Sequence, residues 1–134
     1  MKYIFIDTNN WKFCSLLMRE DHTPQTLKKL ESILSQQNNI KLLMPEIIKL
    51  EYFRVVNNAF VEDVKKEMQG LKHKVQDVLP EHLKNQKNKF YEVADNLAGE
   101  REKAKNSAIK VFENIVELDN TIEISLTSEI IVEA

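Results

Sequence analysis

The sequence predicts a single α/β domain that is predominantly helical, with short parallel strands and flanking helices. Two short apolar runs, at about residues 2–6 and 40–44, enclose helical patterns, as parallel strands enclose their crossover helix. The chain has 134 residues but only 2 glycines and 3 prolines, which favours few and long elements. Apolar residues then recur at helical spacing on both sides of Pro80, which predicts a long antiparallel helical hairpin with helices at about 46–79 and 81–117.

The first predicted strand ends at an acidic turn. Residues 3–6 are aromatic and β-branched, which is typical of a strand buried on both faces, and the polar run that begins at Asp7 ends it. Asn9 and Asn10 are suitable N-caps for a helix that begins near Trp11. The chain is therefore expected to open with a strand, an acidic turn and a helix.

The next unit is a crossover helix followed by the second strand. Thr23 suits the N-cap and Pro24 the first position of a helix, and four apolar residues follow at helical spacing. These four are Leu27, Leu30, Ile33 and Leu34. The apolar run at 40–44 then stops at Pro45, so we expect two parallel strands joined by a right-handed crossover.

Two apolar stripes define the hairpin, which we interpret as an insertion at 58–117. The first stripe steps by three and four residues, and the second, after Pro80, is weak in its middle at Gly99 and Arg101. The first stripe contains Phe60, Val64, Met68, Leu71, Val75 and Val78, and the second contains Phe90, Val93, Leu97, Ala104, Ala108, Val111, Phe112 and Ile115. The stripes are expected to pack against each other.

The carboxyl-terminal residues are less regular. Residues 121–126 fit no single element, and residues 125–128 are suitable caps for a last helix that starts at Glu129 and runs to Ala134. The predicted sheet then has two strands and two open edges, and an open edge is a template for another strand. We expect self-association, a domain swap, another protein or a carboxyl-terminal part beyond Ala134 to cover the open sheet edge.

Composition limits the classes of function. The formal net charge is −2, so charge neither indicates nor excludes nucleic-acid binding. Cys14 is the single cysteine, so the sequence contains neither an internal disulfide nor a zinc framework. It also lacks a signal-peptide core and an apolar run long enough to span a membrane. We therefore expect a soluble, cytoplasmic protein with no membrane partner.

Asp7 and Glu51 are the candidate site residues. Asp7 follows an apolar strand, and the carboxyl ends of parallel strands open on the crevice where α/β sheets bind their ligands. Glu51 lies in the helix after the second strand, on a side that can face the same crevice. Glu46 points roughly 140° away from Glu51 at about 100° per residue. It is better explained as an acid that satisfies the helix dipole.

These residues resemble the amino-terminal half of a PIN domain. The residues that carry the resemblance are Phe5-Ile6-Asp7-Thr8-Asn9, then Pro45 and Glu51. The helical hairpin and the stretch 128–134 are similar to segments of a bacterial PIN-like group. The resemblance implies a three-layer fold and a metal-dependent endoribonuclease of toxin or defence type that acts on RNA. It implies that Asp7 and Glu51 hold Mg²⁺ or Mn²⁺, and that Thr8 or Asn9 forms hydrogen bonds around Asp7.

Carboxylates suit this chemistry for a physical reason. Mg²⁺ prefers hard oxygen ligands, and it activates water and neutralises charge on the scissile phosphate. The family's later acids belong to a helix and strand that would lie beyond residue 134. Five other acids fit none of its motifs: Asp95, Glu117, Asp119, Glu123 and Glu129. We therefore expect residues 1–134 to be an incomplete PIN-like domain, truncated at its carboxyl end, with weak metal binding and weak or no catalysis.

Each assignment has a structural alternative. Asp7 can cap the helix that follows it, and Glu51 can pair with Lys49 or Arg54. Trp11 can stack on a base, but a place in the core is the commoner role for such a residue.

Two basic runs have a similar ambiguity. Residues 84–89 and 101–105 can contact phosphates, which would make the hairpin a substrate arm. Such runs are more often the solvated face of a helix.

Two other functions compete with the ribonuclease. The first is a non-catalytic protein–protein interaction module whose hairpin stripe is the binding surface. The second is a phosphatase of the haloacid dehalogenase type, which needs another acid two residues after the first; that position is Asn9 here. The sequence has no Gly-rich phosphate loop, which excludes a nucleotide-driven motor.

Overall fold

A computed structural model, which describes residues 1–19, 21–78 and 80–125, shows a mainly helical chain with a small parallel sheet. The elements follow in the order β1 (Lys2–Phe5), α1 (Thr8–Leu16), α2 (Gln25–Gln36), β2 (Ile40–Pro45), α3 (Glu46–Asn57), a π-helical turn (Asn58–Glu62), α4 (Asp63–Val78), a 3-10 turn (Glu81–Leu83), α5 (Lys84–Val116) and β3 (Thr121–Ile124). The predominantly helical α/β class is confirmed. The last helix predicted at 129–134 lies outside the described residues.

The sheet has three parallel strands in the order β1-β2-β3. In β1 Ile4 lies opposite Leu42 of β2, and Leu43 of β2 lies opposite Ile122 of β3. Both predicted strands are confirmed, but the expectation of a two-stranded sheet was wrong. Four residues of β3 carry too short a pattern to distinguish a strand from other elements. Within the described residues, the open edges belong to β1 and β3.

The hydrophobic core lies between one face of the sheet and the helices. Leu42 and Met44, alternate residues of β2, are fully buried in one cluster with residues of all the long helices except α4. The predicted crossover helix is confirmed as α2, although it begins at Gln25 with Pro24 as its N-cap. The position of Trp11 in the core is confirmed as well.

The described residues leave the opposite face of the sheet uncovered by helices. Tyr3 and Phe5 alternate with Ile4, whose side chain packs against the core, and they are 63% and 56% exposed. Leu43 of β2 lies opposite both Phe5 and Ile122, so Ile122 of β3 is on the same face as Phe5, and it is exposed too. Within the described residues the sheet therefore carries a helical layer on one face, and the third layer that was expected is not among them.

Helical structure covers most of the region predicted as a hairpin, but it is interrupted. A π-helical turn separates α3 from α4, and a 3-10 turn precedes α5. Arg101 of α5 donates hydrogen bonds to the carbonyl oxygens of Ala59 (3.2 Å) and Phe60 (3.1 Å), and its guanidinium lies 4.6 Å from the centre of the Phe60 ring. The polar gap in the second stripe at Arg101 is therefore a contact with the π-helical turn.

Contacts between α4 and α5 are sparse. Lys72 pairs with Asp95 at 2.6 Å, and the Lys87 ammonium donates to the Gln76 carbonyl oxygen at 3.4 Å. No residue of α4 is buried. Among the described residues, no helix is long and apolar enough to cross a membrane.

Candidate functional site

The candidate site lies where the parallel strands end. β1 ends at Phe5, and β2 ends at Pro45, so α1 and α3 both start from the same edge of the sheet. The two helices are joined in the core by a 2.8 Å hydrogen bond between the hydroxyls of Ser15 and Tyr52. This bond fixes the helix that follows Asp7 against the helix that carries Glu51.

Asp7 is the N-cap of α1. Its backbone is extended, with φ −75° and ψ 166°, and its Oδ1 accepts the backbone N–H of Asn10 at 2.9 Å. The expectation that Asn9 or Asn10 caps this helix was wrong, because α1 begins earlier, at Thr8. The cap engages Oδ1, and the carboxylate stays exposed to solvent.

Glu51 is held against the residue that follows Asp7. The Thr8 hydroxyl donates to Glu51 Oε2 at 2.9 Å, and both side chains are half-buried. The structure therefore brings Thr8 and Glu51 together at the carboxyl end of β1, as the parallel strand arrangement required. Asn9 lies in the first turn of α1 and is exposed.

Lys49 pairs with Glu123 and not with Glu51, the partner considered from the sequence. Its ammonium pairs with Glu123 of β3 at 2.6 Å. A small cavity of about 170 Å³ adjoins this pair and is lined by Met44, Glu46, Lys49, Glu123, Ile124 and Ser125. Sequence reasoning missed Glu123 at this edge because β3 was not identified. Glu123 alternates with Ile122 and Ile124, but this pattern is too short to identify a strand by itself.

The chemistry of the donor set decides which metals it suits. Asp7 and Glu51 offer carboxylate oxygens, which hard divalent cations prefer. Within the part of the chain that is described, no group of three His, Cys, Asp or Glu side chains is placed to hold a metal ion. A cation at this edge would therefore take its remaining ligands from water and from a phosphate group.

Burial changes the pKa of two groups that pack near the core, Cys14 and Tyr52. Burial raises the pKa of the Cys14 thiol, so this cysteine is not a thiolate nucleophile. Burial also raises the pKa of Tyr52 to about 12.

A separate exposed contact joins the loop before α2 to α5. His22, which has a positive φ of 62°, forms a hydrogen bond with Glu100 of α5, and this bond lowers the pKa of the Glu100 carboxyl.

Comparison of the chain with protein-family models, with curated proteins and with solved structures gives no match. The assignment of a function therefore depends on the residues and their geometry.

Proposed function

We propose that Asp7 and Glu51 are ligands of Mg²⁺ or Mn²⁺ in the site of a PIN-like endoribonuclease of toxin or defence type. The observation that supports this most is the 2.9 Å hydrogen bond from Thr8 to Glu51. It ties Glu51 to Thr8, the residue that follows Asp7 in the chain. Neither a helix cap at Asp7 nor a solvated Glu51 requires that arrangement.

The protein's own residues have distinct roles in this proposal. The cap through Asn10 orients the Asp7 carboxylate by one oxygen, while the other oxygen is available to a ligand. The Thr8 hydroxyl orients Glu51 by donating to its Oε2, as hydrogen-bond donors beside metal ligands do. Asn9 lies in the first turn of α1, where the helix dipole favours the phosphate of an RNA chain.

The metal, when bound, would polarise the scissile phosphate and activate water. Two carboxylates are few for a cation that must also hold a substrate, so weak affinity and slow or no turnover are expected of residues 1–134. A metal titration therefore tests the proposal better than an activity assay alone.

The test is a calorimetric titration of the protein with MnCl₂. Asp7→Asn and Glu51→Gln remove a charge but keep an oxygen acceptor for the Asn10 N–H and the Thr8 hydroxyl. Each is expected to weaken Mn²⁺ binding by about 10-fold or more. The matched control is Asp77→Asn on the exposed end of α4, which should bind like the wild type. Equal affinity in all four proteins would contradict the proposal.

Cleavage of single-stranded RNA in Mn²⁺ gives a second readout. Any activity of the chain should disappear in Asp7→Asn and persist in Asp77→Asn. Activity that survives in Asp7→Asn would assign the cleavage to something other than this site.

The alternative is a non-catalytic interaction module that uses the hairpin. It is supported by the poor burial of α4 and by exposed apolar residues on both helices, of which Val78 is 76% and Val93 65% exposed. From the contacts of Lys72 with Asp95 and of Lys87 with Gln76, we infer that α4 and α5 run antiparallel. An open groove of about 470 Å³ lies between them. Mn²⁺ binding that is independent of Asp7 and Glu51 would favour this alternative.

A further inference from the structure

A polar pocket lies outside the candidate site, between the start of α2 and the second half of α5. Its volume is about 280 Å³, and residues 21–24, one side of α2 and one side of α5 line it. None of its lining residues belongs to the edge of the sheet that carries Asp7 and Glu51. The pocket is therefore a second concave surface, separate from the candidate site.

Hydrogen bonds fix the loop that forms one wall of this pocket. The Arg19 N–H donates to the Thr23 carbonyl oxygen, and the His22 N–H donates to the Arg19 carbonyl oxygen, both at 3.0 Å. His22 takes a left-handed backbone conformation, with φ 62°, and its ring contacts Glu100 of α5. Such a conformation is uncommon for a residue other than glycine, and it persists where surrounding contacts impose it. The wall of the pocket is therefore preformed.

Glu31 of α2 leaves a buried carboxylate oxygen unpaired beside this wall. Its Oε2 is inaccessible to solvent and has no hydrogen-bond partner among the described residues. A carboxylate oxygen in that state destabilises the protein unless a donor reaches it. Glu31 lines the pocket, and its carboxylate turns easily about the last side-chain bond, so a donor in the pocket can bond either oxygen.

Two lysines bring positive charge to the same pocket. Lys28 of α2 and Lys110 of α5 line it, and within the described residues neither forms an ion pair. Ser107 adds a hydroxyl on the α5 side. Asp21, the other acid of the pocket, is exposed and accepts the Thr23 N–H at 3.2 Å. The charged groups that lack a partner in the described structure are therefore two ammoniums and one glutamate carboxylate.

We propose that this pocket binds an acidic α-amino acid. The ammonium of the ligand donates to Glu31, and its two carboxylates accept from Lys28 and Lys110, so each charge of the ligand meets one of opposite sign. The size of the pocket agrees with this class, because it has room for about nine water molecules at about 30 Å³ each. A ligand such as L-glutamate, with about ten non-hydrogen atoms, is of similar size.

Ligands of a single charge sign match the pocket less well. A phosphate or a dicarboxylate pairs with the lysines, but it brings no donor to Glu31 and is repelled by its carboxylate. A metal ion or a polyamine suits Glu31, but the two ammoniums repel it. A ligand that combines an ammonium with carboxylates satisfies all three groups.

An NMR titration of the protein with L-glutamate tests the proposal. It is carried out with EDTA and without RNA, so its result is independent of the proposed metal site. The backbone amide signals of His22, Lys28, Glu31, Ser107 and Lys110 should shift, with a dissociation constant of roughly 0.1–1 mM. Glutarate, which has the same carboxylates but no ammonium, should bind at least about 10-fold more weakly.

Three variants assign the contacts. Glu31→Gln keeps the shape of the side chain but removes its charge, so it should bind glutamate about 10-fold more weakly and no longer distinguish it from glutarate. Lys110→Met should weaken the binding of both ligands by about 10-fold. Lys29→Met, at an exposed position of α2 outside the pocket, is the control and should bind glutamate like the wild type.

The absence of signal shifts at glutamate concentrations up to about 10 mM would overturn the proposal. So would equal affinities of the wild type for glutamate and glutarate, or a preference for glutamate that persists in Glu31→Gln. Shifts that spread over the exposed lysines of α4 and α5 and disappear with added salt would show an unspecific ionic effect and would also contradict it.

Discussion

At the scale of single residues, Asp7 combines a structural and a proposed chemical role in one carboxylate. The cap of α1 needs an oxygen acceptor, whereas a metal ligand needs a negative charge. Aspartate and asparagine are comparable N-caps, so the two roles can be separated by substitution. The position of Asp7 at the strand end could be predicted from the apolar run before it. Its capping role was an alternative that only the backbone geometry could establish.

Asp7→Ala should destabilise the protein by about 1 kcal/mol, because the Asn10 N–H loses its acceptor. Asp7→Asn keeps an acceptor and should destabilise it by only about 0.3 kcal/mol. The measurement is urea-induced unfolding of both variants and the wild type. Equal destabilisation by the two variants would show that the charge, and not the cap, stabilises α1.

Tyr52 is the residue whose protonation most affects the core. The Ser15 hydroxyl donates to the Trp11 carbonyl oxygen, so the 2.8 Å bond between Ser15 and Tyr52 has the tyrosine as its donor. The Tyr52 ring stacks on Phe112 with centroids 3.7 Å apart. Ionisation would remove the donor and place a charge in an apolar cluster. Burial accordingly raises the pKa of Tyr52 to about 12, from an ordinary value of about 10.

The folded protein should lose stability as the pH rises from about 10 to about 12. In that range the unfolded chain releases the Tyr52 proton while the folded protein retains it. Tyr52→Phe should cost about 1 kcal/mol at neutral pH and should abolish this part of the pH dependence. Unfolding free energies of wild type, Tyr52→Phe and the exposed-site control Tyr3→Phe test this. A slope for Tyr52→Phe equal to that of the wild type would exclude Tyr52 as its source.

At the scale of elements, hydrophobic periodicity predicted the long helices and the strands β1 and β2. It did not predict β3, because four residues contain too few repeats, and it did not predict the π-helical turn. The extra residue of a π-helical turn leaves helical spacing nearly intact on either side, so a stripe that steps by three and four residues does not reveal it. The polar Arg101 within the second stripe was the visible trace of this turn.

Arg101→Met should destabilise the protein by about 2 kcal/mol, because two carbonyl oxygens of the π-helical turn lose their charged hydrogen-bond donor. Methionine also removes the guanidinium from the Phe60 ring, so the loss reports the two hydrogen bonds together with this cation–π contact. Lys103→Met, at an exposed position two residues away, should change stability little. Thermal unfolding compares the two, and similar losses would contradict a specific role for Arg101.

At the scale of the whole molecule, the parallel topology explains how the candidate site is assembled. Parallel β1 and β2 end at one edge, so the residues that start α1 and those early in α3 become neighbours. That Glu51 faces this edge could be predicted from the sequence because it follows from the crossover rule. The hydrogen-bond partners could not: Thr8 was expected to bond around Asp7, but it donates to Glu51, and Asn10 bonds Asp7. The pairing of Lys49 with Glu123 could not, because it depends on a strand about 74 residues further along that the sequence pattern did not identify.

The most direct test of the central claim is the broadening of backbone amide NMR signals by Mn²⁺. A paramagnetic ion held by Asp7 and Glu51 should broaden the signals of Thr8, Asn9 and Glu51 first. Asp7→Asn should remove this broadening, and Asp77→Asn should retain it. Broadening that begins at the exposed acids of α4, or that is unchanged in Asp7→Asn, would contradict a metal site at the carboxyl edge of the sheet.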